Sequence, residues 1–131
     1  MFHIIQQNDN IIHVGFQEDV RSYYAISNVL VLPSYREGFP NAVLQAGAMG
    51  LPGIVSDISG CNEIIDHEVN GLLVPKKNYR ELQRAMEKIL VTPNFLESLQ
   101  KNARNRVAES FDKSLVWEEL KKEYEKALNE L

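Results

Sequence analysis

Residues 29–56 have the sequence VLVLPSYREGFPNAVLQAGAMGLPGIVS, and this stretch decides the fold. It begins with the continuous apolar run 29–32, which is typical of a parallel strand covered on both faces. Pro33 ends this run, and Pro40 suits the first turn of a helix because its missing N–H is not needed there. A glycine and then a proline end that helix before a second short apolar run, 53–56. A strand, a helix and a strand at this spacing predict a parallel βαβ unit.

The flanking segments continue the same alternation of elements. The sequence predicts strands over 11–16 and 72–74, and short helices over 19–27 and 60–66. The last third carries apolar stripes at helical spacing, which predict three helices that begin near Asn78, Asn94 and Asp112. The expected fold class is therefore α/β, a parallel sheet of about four strands with flanking helices, ending in three helices. No repeat or linker is visible, so residues 1–131 are predicted to form one domain.

Side chains at helical spacing give a second set of expectations. We expect the helix after Pro40 to bury Val43, Leu44, Ala46, Ala48 and Met49. The aromatic residues are expected in the core rather than on a stacking surface: Tyr23, Tyr24, Tyr79, Phe95, Trp117 and Tyr124. The last helix should present one apolar face, formed by Val116, Leu120, Tyr124, Ala127 and Leu131, and pair Glu118 with Lys122 on another.

Composition excludes several classes of protein. The chain has 131 residues, of which 44% are hydrophobic and 24% charged, values that argue against intrinsic disorder. Its net charge of −4 argues against broad nucleic-acid binding. The single Cys61 cannot form an internal disulfide, which favours a reducing, cytoplasmic compartment. The first ten residues lack the pattern of a signal peptide, and the apolar runs are too short to span a bilayer.

The strongest local candidate for chemistry is the segment 34–41, SYREGFPN. It joins a strand to a helix, and in an open α/β sheet such junctions lie at the carboxyl edge, where ligands bind. The free N–H groups of the helix start suit a phosphate, and Gly38 allows close approach of the backbone. Glu37 could accept hydrogen bonds from sugar hydroxyls beside that phosphate. The alternative is a plain tight turn with a solvated pair of Arg36 and Glu37, and the pattern alone leaves both open.

A second junction of the same kind follows at 59–63, SGCNE. Parallel topology puts it at the same sheet edge, so two helix N-termini could share a diphosphate, or this segment could be a simple capped turn. Catalysis by Cys61 is not favoured, since no histidine is spaced to activate the thiol. The spacing of His3, His13 and His67 matches no metal-ligand motif, so we expect no metal.

Three runs together resemble a known family: VLPSYREGFPNAVLQAGAMGLP (31–52), GIVSDISGCNEIIDHEVNGLLVP (53–75) and VWEELKKEY (116–124). They are similar to the C-terminal domain of GT-B retaining glycosyltransferases of family 4, and the resemblance extends from about Asn10 to the end. It implies a Rossmann-like domain that binds a nucleoside-diphosphate sugar. In the family this domain faces an N-terminal acceptor domain across one cleft.

The resemblance also assigns roles to residues. The family's acidic motif is a Glu, seven residues and a second Glu; Glu37 matches the first, which contacts the hydroxyls of the transferred sugar and is the predicted catalytic residue. Gln45 takes the place of the second Glu, which holds the ribose, and a neutral amide loses the charge-assisted hydrogen bond. The other predicted donor-binding residues are Arg36, Gly38, Phe39, Pro40, Asn41, Val43, Gly60 and Cys61.

Several departures from the family carry expectations of their own. Gly53 replaces a β-branched residue, which predicts a weakened strand or a close backbone contact. Against the family pattern, we expect the acceptor domain and the first strands and helices of the C-terminal domain to be missing. In the family the missing part of the C-terminal domain supplies an Arg and a Lys on the diphosphate, and the acceptor domain supplies a His near the sugar. We therefore expect the chain alone to be inactive and its edge strand to favour a dimer.

The implied function is transfer of a sugar, with retention, to a saccharide or lipid-linked acceptor in polysaccharide biosynthesis. No metal or other cofactor is expected, and the acceptor would bring the full-length protein to the inner face of the cytoplasmic membrane. Two alternatives stay open: a degenerate module that binds a nucleotide sugar or scaffolds a complex without catalysis, and a GT-B nucleotide-sugar epimerase.

Overall fold

The computed structural model describes residues 8–130. A small parallel sheet is flanked by helices in strict alternation, followed by three longer helices. The elements in chain order are α1 (Arg21–Ile26), β1 (Leu30–Leu32), α2 (Asn41–Ala48), β2 (Gly53–Ser56), α3 (Cys61–Ile64), β3 (Gly71–Val74), α4 (Tyr79–Val91), α5 (Pro93–Phe111) and α6 (Lys113–Asn129).

Within the described residues the sheet has three parallel strands in the order β1-β2-β3. Ile54 in the central strand lies opposite Val31 on one side and Leu72 on the other. The predicted α/β class and the parallel pairing are confirmed. All carboxyl ends of the strands meet at one edge, so the loops that follow β1, β2 and β3 share that edge.

Alternation along the strands builds one core on each face of the sheet. Ile54, Leu72 and Val74 pack beneath α4 and α5, where Leu99 is fully buried. Val55 on the opposite face packs with Val43 of α2 and with buried residues of α3 and its C-terminal flank, Cys61, Ile64 and Ile65. Continuous apolar strands are thus covered on both sides, as the sequence predicts.

Three glycines lie at close contacts between elements. A Cβ on Gly47 of α2 would stand 2.6 Å from Cγ2 of Val107, so this glycine lets α2 and α5 touch. A Cβ on Gly53 would lie 3.4 Å from Cδ1 of Ile65, and one on Gly71 would overlap the Gly53 carbonyl oxygen. The atoms nearest to an added Cβ at Gly53 are side-chain carbons, so the structure shows neither a close backbone contact that requires this glycine nor a weakened strand, since β2 keeps its full pairing there.

The predicted strand over 11–16 is wrong. These residues are irregular, and Gly15 has φ +67°, a left-handed conformation that breaks an extended run. Ile12 is 84% exposed and Phe16 is 93% exposed. Apolar alternation alone does not make a strand when no neighbouring strand in residues 8–130 accepts its hydrogen bonds.

Other predictions need smaller corrections. The helix expected over 60–66 ends at Ile64 because Ile65 is extended, and α5 begins at Pro93 without a side-chain cap rather than at Asn94. Gly47, not Ala48 or Met49, is buried in α2.

The exposed surface differs most from expectation. Tyr79, Trp117 and Tyr124 are mostly exposed, and no described residue of α6 is buried, so its predicted apolar face (Val116, Leu120, Tyr124 and Ala127) meets solvent. Leu131, the last of that set, and His3 lie outside the described residues. Lys122 pairs with Glu119 at 2.6 Å rather than with Glu118, because residues three apart also share a helix face.

Candidate functional site

The loop between β1 and α2 holds Glu37 in a defined position. The Ser34 hydroxyl donates a hydrogen bond of 2.5 Å to Oε1 of Glu37, which is half-buried. Arg36 is exposed and forms no ion pair with Glu37. The alternative of a solvated Arg36–Glu37 pair is therefore not what the structure contains, and the carboxylate keeps a free oxygen for a ligand.

The start of α2 offers unpaired donors directly after this loop. Pro40 is buried, and its carbonyl accepts from the amides of Val43 and Leu44. The amides of Asn41 and Ala42 donate to no acceptor among residues 8–130. The N-terminal end of a helix also carries partial positive charge, so these two amides can receive an anion.

The second predicted junction lies against the first, as parallel topology requires. A Cβ on Gly60 would overlap the carbonyl oxygen of Gly38, which brings the start of α3 into contact with the loop of Glu37. Its amides are not free, however: Gly60 N–H donates to Oε1 of Glu63 at 3.1 Å, and Cys61 N–H donates to Ile58 O at 3.1 Å. Gly60 and Cys61 therefore support the loop by packing. Neither has a free N–H for the predicted contact with the diphosphate.

Cys61 is fully buried beneath this contact. Burial raises the pKa of its thiol, and the nearby negative charge of Glu37 raises that pKa further. The thiol is therefore neutral at physiological pH, whereas nucleophilic cysteines need a lowered pKa. Burial and the neutral thiol argue against a nucleophilic role for Cys61.

Gln45 lies one helical turn beyond Asn41 on the exposed side of α2. It lines a cavity of about 480 Å³ between α1 and α2, together with Arg21 and Tyr24. Arg21 forms a 2.7 Å ion pair with Asp19, and this hydrogen-bonded partner lowers the pKa of Asp19 to about 2. Sequence reasoning missed these cavity residues, because the packing of α1 beside α2 brings them to Gln45 and no local motif marks them.

Two further predicted residues have side chains with structural partners. The ring of Phe39 lies 5.5 Å from the ring of Phe111 at the end of α5. Val43 is 2% exposed and belongs to the core, so only its backbone could face a ligand. The structure thus places Glu37 and Gly38 in the loop before α2, beside the start of α3, and Gln45 at the cavity between α1 and α2, and directs Val43 inward.

Comparison with known proteins identifies the family. The family model for glycosyl transferases group 1 matches residues 3–106. The chain belongs to the glycosyl transferases group 1 family. It spans about a third of the length of the relatives that it matches. The resemblance inferred from the sequence motifs is confirmed at the level of the family and the fold.

Individual relatives agree with this assignment. The capsular polysaccharide biosynthesis glycosyltransferase CapM of Staphylococcus aureus is 30% identical over 126 residues, 96% of this chain and 33% of CapM. Sucrose-phosphate synthase from Thermosynechococcus elongatus superposes with a TM-score of 0.90 at 31% identity, covering 99% of this chain and 34% of that one. Anabaena HepE, solved in complex with UDP-glucose, has a TM-score of 0.83 at 19% identity, covering 99% and 35%, and shows the fold alone.

The described residues lack two further kinds of feature. Between residues 8 and 130, no helix has both the length and the apolar character of a membrane span. In the same range, no three His, Cys, Asp or Glu side chains are grouped as a metal site would require.

Proposed function

We propose that this chain is the donor-binding part of a retaining glycosyltransferase that moves a sugar from a nucleoside diphosphate to a saccharide or lipid-linked acceptor. One observation carries the proposal. The unpaired amides of Asn41 and Ala42 follow directly on Glu37, whose carboxylate is held by Ser34. Amides that can donate hydrogen bonds to an anion thus lie beside a carboxylate that can accept them from a sugar. Both are at the carboxyl edge of a parallel sheet, the usual ligand position in such folds.

We assign each part of the donor to a group on α2 or in the loop before it. The diphosphate would lie at the first turn, where the amides and the helix dipole stabilise the charge that develops as it leaves. Glu37 would accept hydrogen bonds from hydroxyls of the transferred sugar and orient that sugar. Gln45, one turn along, would bind the ribose through a neutral amide, which is a weaker acceptor than a carboxylate.

The nucleotide and the metal requirement belong to the same proposal. UDP is the first nucleotide to test because HepE, which shares this fold, was solved with UDP-glucose. The name of CapM supports a role in polysaccharide assembly. We propose binding without a metal, because the helix amides supply donors to the phosphate oxygens; EDTA should then leave UDP affinity unchanged.

Replacing Glu37 tests the proposal through a difference between two ligands. Glu37→Gln should weaken UDP-glucose binding about fivefold, the difference between a charge-assisted and a neutral hydrogen bond, and leave UDP binding unchanged. Affinities can be measured by NMR or calorimetric titration of the same protein. Glu87→Gln, on the exposed side of α4, is the matched control. Equal losses for UDP and UDP-glucose, or no loss for either, would contradict the sugar-binding role.

A further inference from the structure

A second cleft, of about 290 Å³, opens at the same sheet edge. Its floor is formed where β2 and β3 end, at Ser56 and Val74, and Leu82 of α4 closes one side. Val74 and Leu82 pack in the core beneath α4, whereas Gly38 contacts the start of α3 on the opposite face. The cleft and the proposed donor site therefore lie over opposite faces of the sheet, and its size is near the low end for ligand pockets.

The floor of the cleft carries a polar group that the fold does not use. Ser56 is 1% exposed, yet its side chain lines the cleft. Its hydroxyl takes part in none of the side-chain hydrogen bonds of residues 8–130, and no fully buried side-chain oxygen in that range lacks a partner, so we infer that this oxygen is in part accessible from the cleft. A hydroxyl left without a protein partner in a buried strand is uncommon, and a ligand or water in the cleft would satisfy it.

The walls combine aromatic rings with positive charge. Tyr35 and Tyr79 are 65% and 70% exposed, and a cationic side chain lies over one face of each ring, which leaves the other face for a ligand. Lys77 Nζ stands 5.4 Å from the centre of the Tyr35 ring, at the rim. Residues 75–80, PKKNYR, hold three cationic side chains and no acidic one, in a chain whose net charge is −4. This local positive field favours an anion over a neutral or cationic ligand.

We propose that this cleft binds a sugar ring that carries a phosphate or a carboxylate. The C–H faces of a sugar ring stack on tyrosine rings, and its hydroxyls can bond Ser56. Lys77 then pairs with the anionic group, which gives a charge-assisted hydrogen bond. None of these residues belongs to the proposed donor site, so either proposal can fail without the other.

Amide NMR titration of the protein with glucose 6-phosphate, glucuronate, glucose and inorganic phosphate tests the site. We expect shifts at Tyr35, Ser56 and 77–82 with at least one anionic sugar, bound about tenfold more tightly than glucose. Tighter binding of glucose 6-phosphate identifies the phosphate as the recognised group, and tighter binding of glucuronate identifies the carboxylate. Equal binding of inorganic phosphate and glucose 6-phosphate would overturn the role of the sugar ring. Absence of shifts, or shifts confined to the cavity between α1 and α2 that Gln45 lines, would overturn the site itself.

Two neighbouring lysines provide a matched pair of variants. Lys77→Met should weaken binding of the anionic sugar about tenfold, to the affinity that the protein has for glucose, because it removes the cation at the rim. Lys76→Met should change nothing, since Lys76 does not line the cleft. Both side chains are exposed, so both variants keep the fold. An equal loss in the two variants would mean general electrostatic attraction and would overturn the assigned contact.

Discussion

At the scale of single residues, Gly60 meets two constraints at once. Its φ of +83° is in the left-handed region, and an added Cβ would overlap the carbonyl oxygen of Gly38. Gly60→Ala should therefore lower the free energy of unfolding by at least about 2 kcal/mol, measured by urea denaturation. Gly38→Ala is the matched control, because a Cβ there meets nothing within 4 Å. Similar stability of the two variants would show that the two loops are not packed as described.

Cys61 gives a prediction that depends on pH. Its pKa is raised in the folded protein by burial and by Glu37, so the unfolded chain loses the thiol proton first as pH rises. The contribution of Cys61 to stability is complete below the usual thiol pKa of about 8.5 and is lost progressively above it. Unfolding free energies measured across this range should fall less steeply for Cys61→Ala than for the unchanged protein. Parallel curves would contradict the raised pKa.

Site residues were predictable where a motif fixes their spacing. Glu37 stood out by its place between a strand and a helix, and Gln45 by the resemblance to the family's acidic motif; the structure gives their positions, and their roles stay predictions. The sequence could not tell which helix amides are free, because that depends on local acceptors such as Glu63. The sequence also did not indicate Arg21 and Tyr24 as site residues, since only the packing of α1 beside α2 brings them to Gln45.

At the scale of elements, α5 holds the fold together through Leu99. This side chain is fully buried against Ile54 and Leu72 of the sheet and Ile89 of α4. Leu99→Ala should cost about 3 kcal/mol of unfolding free energy, from lost burial and the cavity left behind. Leu90→Ala, on the exposed side of α4, should cost about 0.5 kcal/mol or less. A small loss at Leu99 in thermal or urea unfolding would contradict its central position.

Elements were predictable where they are buried on both sides. The run 29–56 gave β1, α2 and β2 correctly because its apolar strands and its proline and glycine signals agree. The predicted strand over 11–16 and the predicted burial of the apolar face of α6 were wrong for one shared reason. A local pattern reports that a surface is apolar, but it does not report whether another part of the molecule covers it.

At the scale of the whole molecule, the described residues pack one core on each face of a sheet in which β1 is an edge strand. β1 has β2 on one side only, and its residues are half-buried where those of β2 are fully buried. Association through this edge stays a prediction, as does inactivity of the chain without an acceptor domain. The chain spans about a third of the length of these relatives, so the acceptor and the complete reaction stay proposals.

The central claim is that the start of α2 binds a nucleoside diphosphate. Amide NMR titration with UDP, and separately with GDP, at millimolar concentration tests it most directly. We predict saturable shifts concentrated at residues 37–45, strongest at the free amides of Asn41 and Ala42, with smaller shifts at Gly60 through its contact with Gly38. A well-dispersed spectrum that neither nucleotide changes at these residues would contradict the claim.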